Sequence, residues 1–565
     1  CTCRASATSS PAHEITMTLA LAPKPHPVGD RSKLSKSSWT VPAIVRMQAE
    51  KYGDRMFCTF HDGANLTFDG LEKESNALAS ALAGLGVQAG DRVMALLNNS
   101  KEFVLTLVAT HKRGAIFVPI NTELKGAFLQ HQLKNTEPCV VVLDAELRKA
   151  FDTVDVSAVP IKSTVVVGGE AAPLPNTTAH RFDALAKTAA RTQDVVTVTP
   201  YDACTIMFTS GTTGPAKGVL MTQALCYYYA LSAMRSTALT ESDRMYISMP
   251  MFHGTACWLQ MYSSLLAGAP VHVVKRFSAQ SWLSDVRACG ATVTYAVGVM
   301  PEFILKQPRR DDDVNNPLRL SWSVPVSDAW GREFEERFGL RILQGYGMTE
   351  FSVPVWGDLR DPVKAGCAGR VLEDFFEVRI VDPETDERIG ANEIGEIVVR
   401  PKEPGVFMAG YFRMPDKTVE AWRNLWFHSG DAGYFDEQGR LFYVDRIRDR
   451  IRRRGENISS FEVEEVINSH PAVMQCAVVG VKVTGAGGED EVMAYVVPSS
   501  SALTAKELLD YCVPLMPRYA LPRFIEFVDD IERTPSGKIR KQAIRDVGVT
   551  SKTWDREAVG YVVPR

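Results

Sequence analysis

Apolar helical segments alternate with short β-rich runs over most of the chain, and this alternation constrains the fold more than any other feature. Residues 71–86 have the pattern of a buried-faced helix, whereas residues 92–97 and 139–143 have the pattern of strands. The alternation continues to about residue 343. Strands that alternate with helices usually pair in parallel and are covered by helices. We therefore predict an α/β fold built from one or two large layered sheets.

The pattern changes after residue 377. Residues 377–399 show short alternating strands with Asp and Gly turns, and residues 434–444 predict a hairpin. A run of arginines and a small α+β pattern follow. We therefore predict an N-terminal domain of layered α/β subdomains and a β-rich subdomain at residues 39–447. A small, mobile C-terminal domain would occupy residues 449–550, with a hinge near Arg448.

Composition limits the size of the fold and the class of partner. A chain of 565 residues with 45% hydrophobic content exceeds one core, so about two to four structural units are expected. The net charge of -4 provides no general basic field for nucleic acid. No apolar run approaches the roughly 18 residues of a membrane span. Scattered cysteines favour a cytoplasmic location, and residues 1–38 predict a disordered leader.

A polar, glycine-rich loop at residues 209–218 follows an apolar strand, and Thr222 offers an N-cap for a following helix. Closely spaced glycines let backbone N–H groups face a phosphate, and hydroxyls and a lysine add donors and charge. The spacing differs from the usual nucleotide P-loop. By itself the segment is either an anion-binding loop or a surface turn. Its candidate ligands are Thr209, Ser210, Gly211, Thr212, Thr213, Gly214 and Lys217.

Three further motifs follow this loop in order. They are Gly-Tyr-Gly-Met-Thr-Glu at residues 345–350, Ser-Gly-Asp at residues 429–431 with Arg446 after the hairpin, and Ser-Gly-Lys-Ile at residues 536–539. With the loop, they resemble the adenylate-forming superfamily of acyl-CoA synthetases, firefly-type luciferases and nonribosomal peptide adenylation domains. The resemblance covers nearly the whole chain after the leader. It implies ATP and Mg²⁺ as ligands.

The resemblance also implies a role for each nucleotide-side residue. Tyr346 would stack on adenine, Thr349 would contact phosphate, and Glu350 would hold the magnesium ion that neutralises the leaving pyrophosphate. Asp431 would accept hydrogen bonds from the ribose hydroxyls, and Arg446 would hold the sugar or an α-phosphate oxygen. Gly345, Gly347 and Lys538 complete the predicted ATP-binding set.

Two further groups concern the acid and the thiol. Lys538 resembles the family's catalytic lysine, which would bridge the attacking carboxylate and the α-phosphate. His253 resembles the gate residue between the acid and thiol routes, although a lone histidine could also be a packing residue. The resemblance implies that cap rotation brings Gly455, Glu456 and Asn457 towards the site for coenzyme A.

The branch of the family follows from residues 252–254, Phe-His-Gly, which lack the carboxylate that an amino-acid ammonium group requires. We therefore predict an acid:CoA ligase, most similar to the carnitine/crotonobetaine-CoA ligase group. Luciferase-like or amino-acid adenylation, and a non-enzymatic binding protein on the same fold, remain as alternatives. A homodimer is left open.

The acid pocket is expected to include Trp258, Val299 and Phe351. Trp258, Tyr262 and Trp356 could form an aromatic box for a quaternary ammonium, or they could belong to the core. Residues 323–326 differ from the family's Gly-Ala-Pro segment beside adenine, and Arg448 stands where Asp or Lys is usual. These departures leave the adenine contacts and the hinge open.

Overall fold

The computed structural model describes residues 34–563 except residues 158, 171, 189–195, 210–215, 299, 327–329, 447–450, 454–455, 459, 483–489, 517, 519 and 534–538. It also leaves the side chains of residues 186–188, 452, 456, 457 and 462 undescribed. Within the described residues the fold is α/β, as predicted.

Two sheets are mainly parallel, as the alternation of helices and strands predicts. The first is parallel except at its last pair, and its strands in spatial order are Arg341–Leu343, Leu320–Trp322, Val293–Tyr295, Met245–Ile247, Val271–Val273, Met56–Phe60 and Asn65–Thr67. The second has antiparallel pairs at one end, and its strands are Gly410–Tyr411, Lys217–Thr222, Ala203–Thr209, Ile116–Pro119, Arg92–Leu96, Val140–Asp144, Ser163–Val167 and Thr178–Arg181.

A third sheet is antiparallel and forms the predicted β-rich part. Its strands in order are Gly345–Met348, Ser352–Trp356, Cys367–Val371, Leu441–Arg446, Trp426–Phe435, Gly395–Pro401 and Phe376–Val381, with Trp422–Arg423 beside Trp426–Phe435. The predicted hairpin turns at Asp436, whose Oδ1 accepts hydrogen bonds from the backbone N–H groups of Gln438 and Arg440 at 3.0 and 2.8 Å. The turn fixes the register in which Asp431 lies opposite Arg446.

The C-terminal part has its own sheet and apolar core. Its strands are Val473–Lys482, Asp490–Pro498, Phe524–Phe527 and Trp554–Asp555. A separate hairpin pairs Ile451–Arg453 with Glu456–Ile458. Ile458, Val463 and Leu509 belong to a core cluster that is distinct from the large N-terminal cluster. Ser459 and Glu462 have the sequence spacing of a capping box, but residue 459 and the side chain of Glu462 lie outside the described part.

Helices cover the sheets and are capped where the sequence places Ser or Thr. The side chains of Thr67, Ser100 and Thr222 each accept a backbone hydrogen bond in the first turn of the helix that follows. The α-helices are Val41–Tyr52, Phe68–Gly84, Lys101–Lys112, Gly126–Thr136, Phe182–Thr188, Gln223–Ser236, Ser263–Ala267, Trp282–Cys289, Met300–Leu305, Gly331–Phe338, Pro415–Ala421, Ser460–Asn468, Ala505–Cys512 and Lys541–Val547. Lys36–Ser38 and Ala145–Phe151 are 3₁₀ helices, and Thr255–Tyr262 is a π-helix. Among the described residues, no helix has both the length and the apolarity to cross a bilayer.

Candidate active site

The predicted phosphate loop connects two antiparallel strands. Thr209 pairs with Lys217 at the ends of Ala203–Thr209 and Lys217–Thr222, and residues 210–215 between them lie outside the described part. We predicted that a helix would follow the loop directly, and this was wrong, because the second strand separates them. Thr222 does cap the helix, with its Oγ1 accepting from the Leu225 N–H at 3.0 Å. The helix dipole therefore acts at the far end of that strand and not at the loop.

Lys217 lies at the end of the loop beside an aromatic ring. Its Nζ is 4.1 Å from the centre of the Tyr411 ring, a distance at which a cation is attracted to the ring face. Burial lowers the pKa of Lys217 below its ordinary value, and the Glu350 and Glu420 carboxylates oppose that shift. The site thus holds a partly desolvated positive charge that a phosphate could neutralise.

Glu350 is the buried carboxylate of the second motif, with only 2% of its surface exposed. Its Oε1 accepts a hydrogen bond from the Tyr411 hydroxyl at 2.7 Å. Its Oε2 has no hydrogen-bond partner among the described residues. A buried carboxylate oxygen that lacks a donor is costly unless a cation or water completes it. Glu350 therefore fits the predicted magnesium ligand.

The rest of this motif is held by a tyrosine from the helix Gln223–Ser236. The Tyr229 hydroxyl lies 3.1 Å from the Met348 carbonyl and 3.3 Å from the Thr349 carbonyl. Gly347 allows the adjoining strand to approach closely, because a Cβ at this position would lie 2.0 Å from the Ser352 carbonyl oxygen. At Gly345 a Cβ would lie 3.0 Å from the Val355 carbonyl oxygen. These contacts fix the backbone that presents Thr349.

Asp431 connects the second and third motifs. The Tyr346 hydroxyl donates to Asp431 Oδ2 at 2.8 Å, and Arg446 Nε lies 2.9 Å from Oδ1. Burial and then Asp431 raise the pKa of Tyr346, which keeps its phenol protonated. Asp431 likewise raises the pKa of the half-buried Arg446. The structure brings Asp431 and Arg446, from one hairpin, together with Tyr346 from a distant part of the chain. The Tyr346 ring is mostly buried and faces Tyr443 at 6.1 Å.

His253 lies just before the π-helix Thr255–Tyr262. It is half-buried, and its Nδ1 accepts from the Thr255 N–H at 3.2 Å. The adjoining Gly254 is close to Tyr229, since a Cβ on Gly254 would lie 3.7 Å from the Tyr229 hydroxyl. Because the same hydroxyl contacts the Thr349 carbonyl, the His253 segment is adjacent to the predicted phosphate contact.

The predicted acid-pocket residues that are described lie in the core. Trp258 is 1% exposed, and its ring contacts Tyr262 at 5.8 Å and His111 at 5.9 Å. It lines an apolar cavity of about 20 Å³, which has room for about one water molecule. Phe351 is fully buried against Tyr346, Phe407 and Phe427.

The aromatic box is not assembled among the described residues. Trp356 instead packs against Trp322 at 5.7 Å, while Trp258 and Tyr262 pair with each other. Each of the three rings is at most 3% exposed, which favours the core interpretation. Val299, the third predicted acid-pocket residue, lies outside the described residues.

The C-terminal candidates are only partly described. Lys538, Gly455 and Arg448 lie outside the described residues, as do the side chains of Glu456 and Asn457. The segment directly after Lys538 lies against the N-terminal part, since the Arg540 guanidinium is 6.0 Å from the centre of the Phe128 ring. On the helix of Phe128, Gly126–Thr136, His131 Nε2 lies 2.9 Å from the carbonyl oxygen of Ala216, next to the phosphate loop.

Tyr411 and Tyr229 were not predicted as site residues. Each contacts the Thr349–Glu350 segment from a distant part of the chain, and neither belongs to a motif that points to chemistry. The burial of their polar hydroxyls is a tertiary property, which a single sequence does not display.

Comparison with known proteins agrees with this geometry. The family described as "AMP-binding enzyme" matches residues 45–412, and "AMP-binding enzyme C-terminal domain" matches residues 462–538. A crotonobetaine/carnitine–CoA ligase of Salmonella heidelberg (strain SL476) is 30% identical, covering 87% of this chain and 96% of the relative.

Solved structures extend the comparison. An O-succinylbenzoate coenzyme A synthetase from Bacillus subtilis, in complex with AMP, is 28% identical with a TM-score of 0.76, covering 90% of this chain and 99% of that one. An anthranilate CoA ligase in complex with anthranoyl-AMP has the same fold, with 24% identity, a TM-score of 0.82, and coverage of 92% and 98%. The chain therefore belongs to the AMP-binding enzyme family, within its acyl-CoA ligase branch.

Proposed function

We propose that the chain joins a carboxylic acid to coenzyme A through an acyl-adenylate made from ATP, at the site formed by Lys217, Glu350, Asp431 and Arg446. The observation that carries this proposal is a group of positively and negatively charged side chains that lie close together. A partly desolvated lysine lies beside a buried carboxylate, one oxygen of which lacks a hydrogen-bond partner among the described residues, and an Asp–Arg pair is held by Tyr346. Such a set suits a magnesium-bound triphosphate and its ribose.

In the first step, the substrate carboxylate would attack the α-phosphorus, and the bond to pyrophosphate would break. Lys217 and Thr349 would contact phosphate oxygens, together with the phosphate loop of residues 209–218. Glu350 would hold Mg²⁺. When bound, this ion supplies positive charge that neutralises the negative charge of the leaving pyrophosphate. Lys538 would bridge the carboxylate and the α-phosphate.

The ribose would bind at Asp431. Both of its oxygens already have partners, Tyr346 and Arg446, yet each carboxylate oxygen can accept a second hydrogen bond. Because Asp431 is 3% exposed, such bonds would form in a poorly solvated place and would be strong. Tyr346 and Arg446 would orient the carboxylate.

In the second step, the thiol sulfur would attack the acyl carbon, and AMP would leave. We propose that a cap of residues 449–550 rotates about a hinge near Arg448 between the steps, so that Lys538 withdraws and residues 455–457 approach. The separate apolar core of the C-terminal part supports this division. Among the described residues, polar contacts across the division include Lys306 Nζ to the Met474 carbonyl at 2.9 Å and Ser460 N–H to Asp445 Oδ2 at 3.1 Å. His253 would separate the acid route from the thiol route.

The identity of the acid is left to experiment. The relatives named above suggest crotonobetaine, carnitine, o-succinylbenzoate and anthranilate as a first panel, to which simple aliphatic acids should be added. Because Trp258, Tyr262 and Trp356 lie in the core, we expect no dependence on a quaternary ammonium group.

Acid-dependent exchange of labelled pyrophosphate into ATP tests the first half-reaction, and thioester detection by mass spectrometry after addition of coenzyme A tests the second. We expect exchange with at least one acid and a thioester from the same acid. Absence of exchange with every acid would favour a binding protein on this fold. Exchange without thioester formation would favour a luciferase-like or amino-acid adenylating branch.

A cytoplasmic location is also proposed, because the nine cysteines in the described part are free thiols. A homodimer remains a prediction that light scattering can test.

A further inference from the structure

Tyr411 lies between two opposite charges of the site. It is 5% exposed, and its hydroxyl donates to Glu350 Oε1 at 2.7 Å. The Lys217 ammonium lies 4.1 Å from the centre of the same ring. One side chain therefore contacts the proposed metal ligand through its polar end and the proposed phosphate ligand through its face.

Lys217 and Glu350 are near enough to affect each other electrostatically, yet the ion pairs of the described residues include none between them. Opposite charges in a poorly solvated site attract strongly and tend to pair directly. A direct pair would occupy the lysine's donors and the carboxylate's open oxygen. Both groups would then have to separate before a magnesium-bound phosphate could enter.

The backbone holds Tyr411 in this place. Its strand, Gly410–Tyr411, pairs with Lys217–Thr222, so that Tyr411 lies opposite Val219, close to Lys217. Its N–H donates to Thr418 Oγ1 at 2.9 Å. Gly410 has φ of 140°, in the region that favours glycine, and a Cβ there would lie 3.2 Å from the Thr418 side chain. The ring is thus anchored from both its backbone and its hydroxyl.

We propose that Tyr411 is a positioning residue that keeps Lys217 and Glu350 apart before the nucleotide binds. Its hydroxyl fixes one oxygen of Glu350 and leaves Oε2 open, while its ring face holds the ammonium by cation–π attraction. The proposal rests on the proposed function, since it assumes that Glu350 holds the metal ion. It accounts for a buried Glu350 oxygen that lacks a hydrogen-bond partner in the described part, next to a lysine that could otherwise approach it.

The test uses Mn²⁺ as the probe and measures its binding to the nucleotide-free enzyme by electron paramagnetic resonance. Tyr411→Phe keeps the buried ring and removes only the hydroxyl. Glu350 should then turn towards Lys217, and the Kd for Mn²⁺ should rise by about tenfold to a hundredfold, the usual effect of one charged hydrogen bond. Tyr411→Leu also removes the ring face and should raise this Kd further.

Tyr246→Phe is the matched control, because the buried Tyr246 hydroxyl also donates to a carboxylate, Asp285 Oδ2 at 3.2 Å, in the first sheet and its covering helix rather than in the site. Its Kd for Mn²⁺ should stay within about twofold of the native value. The double variant Lys217→Gln, Tyr411→Phe provides a rescue. If Lys217 captures Glu350 in the single variant, removal of its charge should restore most of the Mn²⁺ affinity.

The outcomes separate this inference from the function on which it rests. Glu350→Gln should weaken Mn²⁺ binding at least as much as Tyr411→Phe does. If Glu350→Gln has no effect, the metal role in the proposed function is wrong. If Glu350→Gln weakens binding while Tyr411→Phe does not, or if the double variant shows no recovery, Tyr411 does not separate the two charges.

Discussion

Replacement of Asp431 by Asn removes a charge and nearly preserves the shape of the side chain. The amide oxygen can still accept from Tyr346, but the ion pair with Arg446 at 2.9 Å is lost. A hydrogen bond to a charged acceptor contributes about 1 kcal/mol more than one to a neutral acceptor. Two ribose hydroxyls would therefore lose about 2 kcal/mol, which raises the KM for ATP about 30-fold.

The assay compares ATP with 2′-deoxyATP and 3′-deoxyATP in acid-dependent pyrophosphate exchange. The native enzyme should use each deoxynucleotide about tenfold less well, since the buried Asp431 then lacks one of its donors. In Asp431→Asn the three nucleotides should have nearly equal kcat/KM. The informative quantity is the ratio of kcat/KM between ATP and each deoxynucleotide. A general loss of folded structure would lower the rates with all three nucleotides together and leave these ratios unchanged.

Asp445→Asn is the control for this experiment. Asp445 lies on the same hairpin, is similarly buried, and contacts Ser460 of the C-terminal part rather than Tyr346. It should lower stability and leave the nucleotide discrimination unchanged. If Asp431→Asn lowers activity with the three nucleotides equally, Asp431 does not bind the ribose and the reasoning is refuted.

Further predictions concern chemistry, cap motion, ionisation and packing. Lys538→Ala should abolish pyrophosphate exchange, and unchanged exchange would remove Lys538 from the first step. Arg448→Pro should restrict the hinge, sparing exchange while slowing thioester formation, and an equal loss of both would oppose cap rotation. Since burial lowers the pKa of Lys217 and bound phosphate should raise it, ATP affinity should fall as the pH rises through the lowered pKa of the free enzyme. Calorimetry should find a flatter profile for Lys217→Arg, and identical profiles would contradict the assignment. Trp258→Ala should lower the free energy of unfolding in urea by about 3 to 5 kcal/mol because the indole is in the core, and a loss below about 1 kcal/mol would place it elsewhere.

Much of the fold was predictable because local patterns and tertiary structure agree. An apolar strand was predicted directly before the glycine-rich loop, where Ala203–Thr209 lies, and Thr222 was identified as a helix cap from residue type alone. Lys217–Thr222 was missed as a strand. It follows a glycine-rich loop, and its pairing with Ala203–Thr209 and with Gly410–Tyr411 depends on partners that the local pattern does not specify.

The site residues that belong to a sequence motif could be predicted, and the others could not. Asp431 and Arg446 were assigned from the resemblance, and the register of the hairpin brings them to 2.9 Å. Trp258 and Phe351 were expected in the acid pocket, since large apolar residues near a gate could serve either a pocket or a core. Tyr411 reaches Glu350 across 61 residues of sequence, and a contact of this range follows from sheet packing rather than from spacing.

The formation of an acyl-adenylate is tested most directly by the path of oxygen. An accepted acid labelled with ¹⁸O in both carboxylate positions is converted to thioester in the presence of ATP and coenzyme A, and the phosphorus products are examined by mass spectrometry. Attack of the carboxylate on the α-phosphorus predicts one ¹⁸O atom in each AMP and none in pyrophosphate. AMP without the label, or ADP with labelled inorganic phosphate, would contradict an acyl-adenylate at this site.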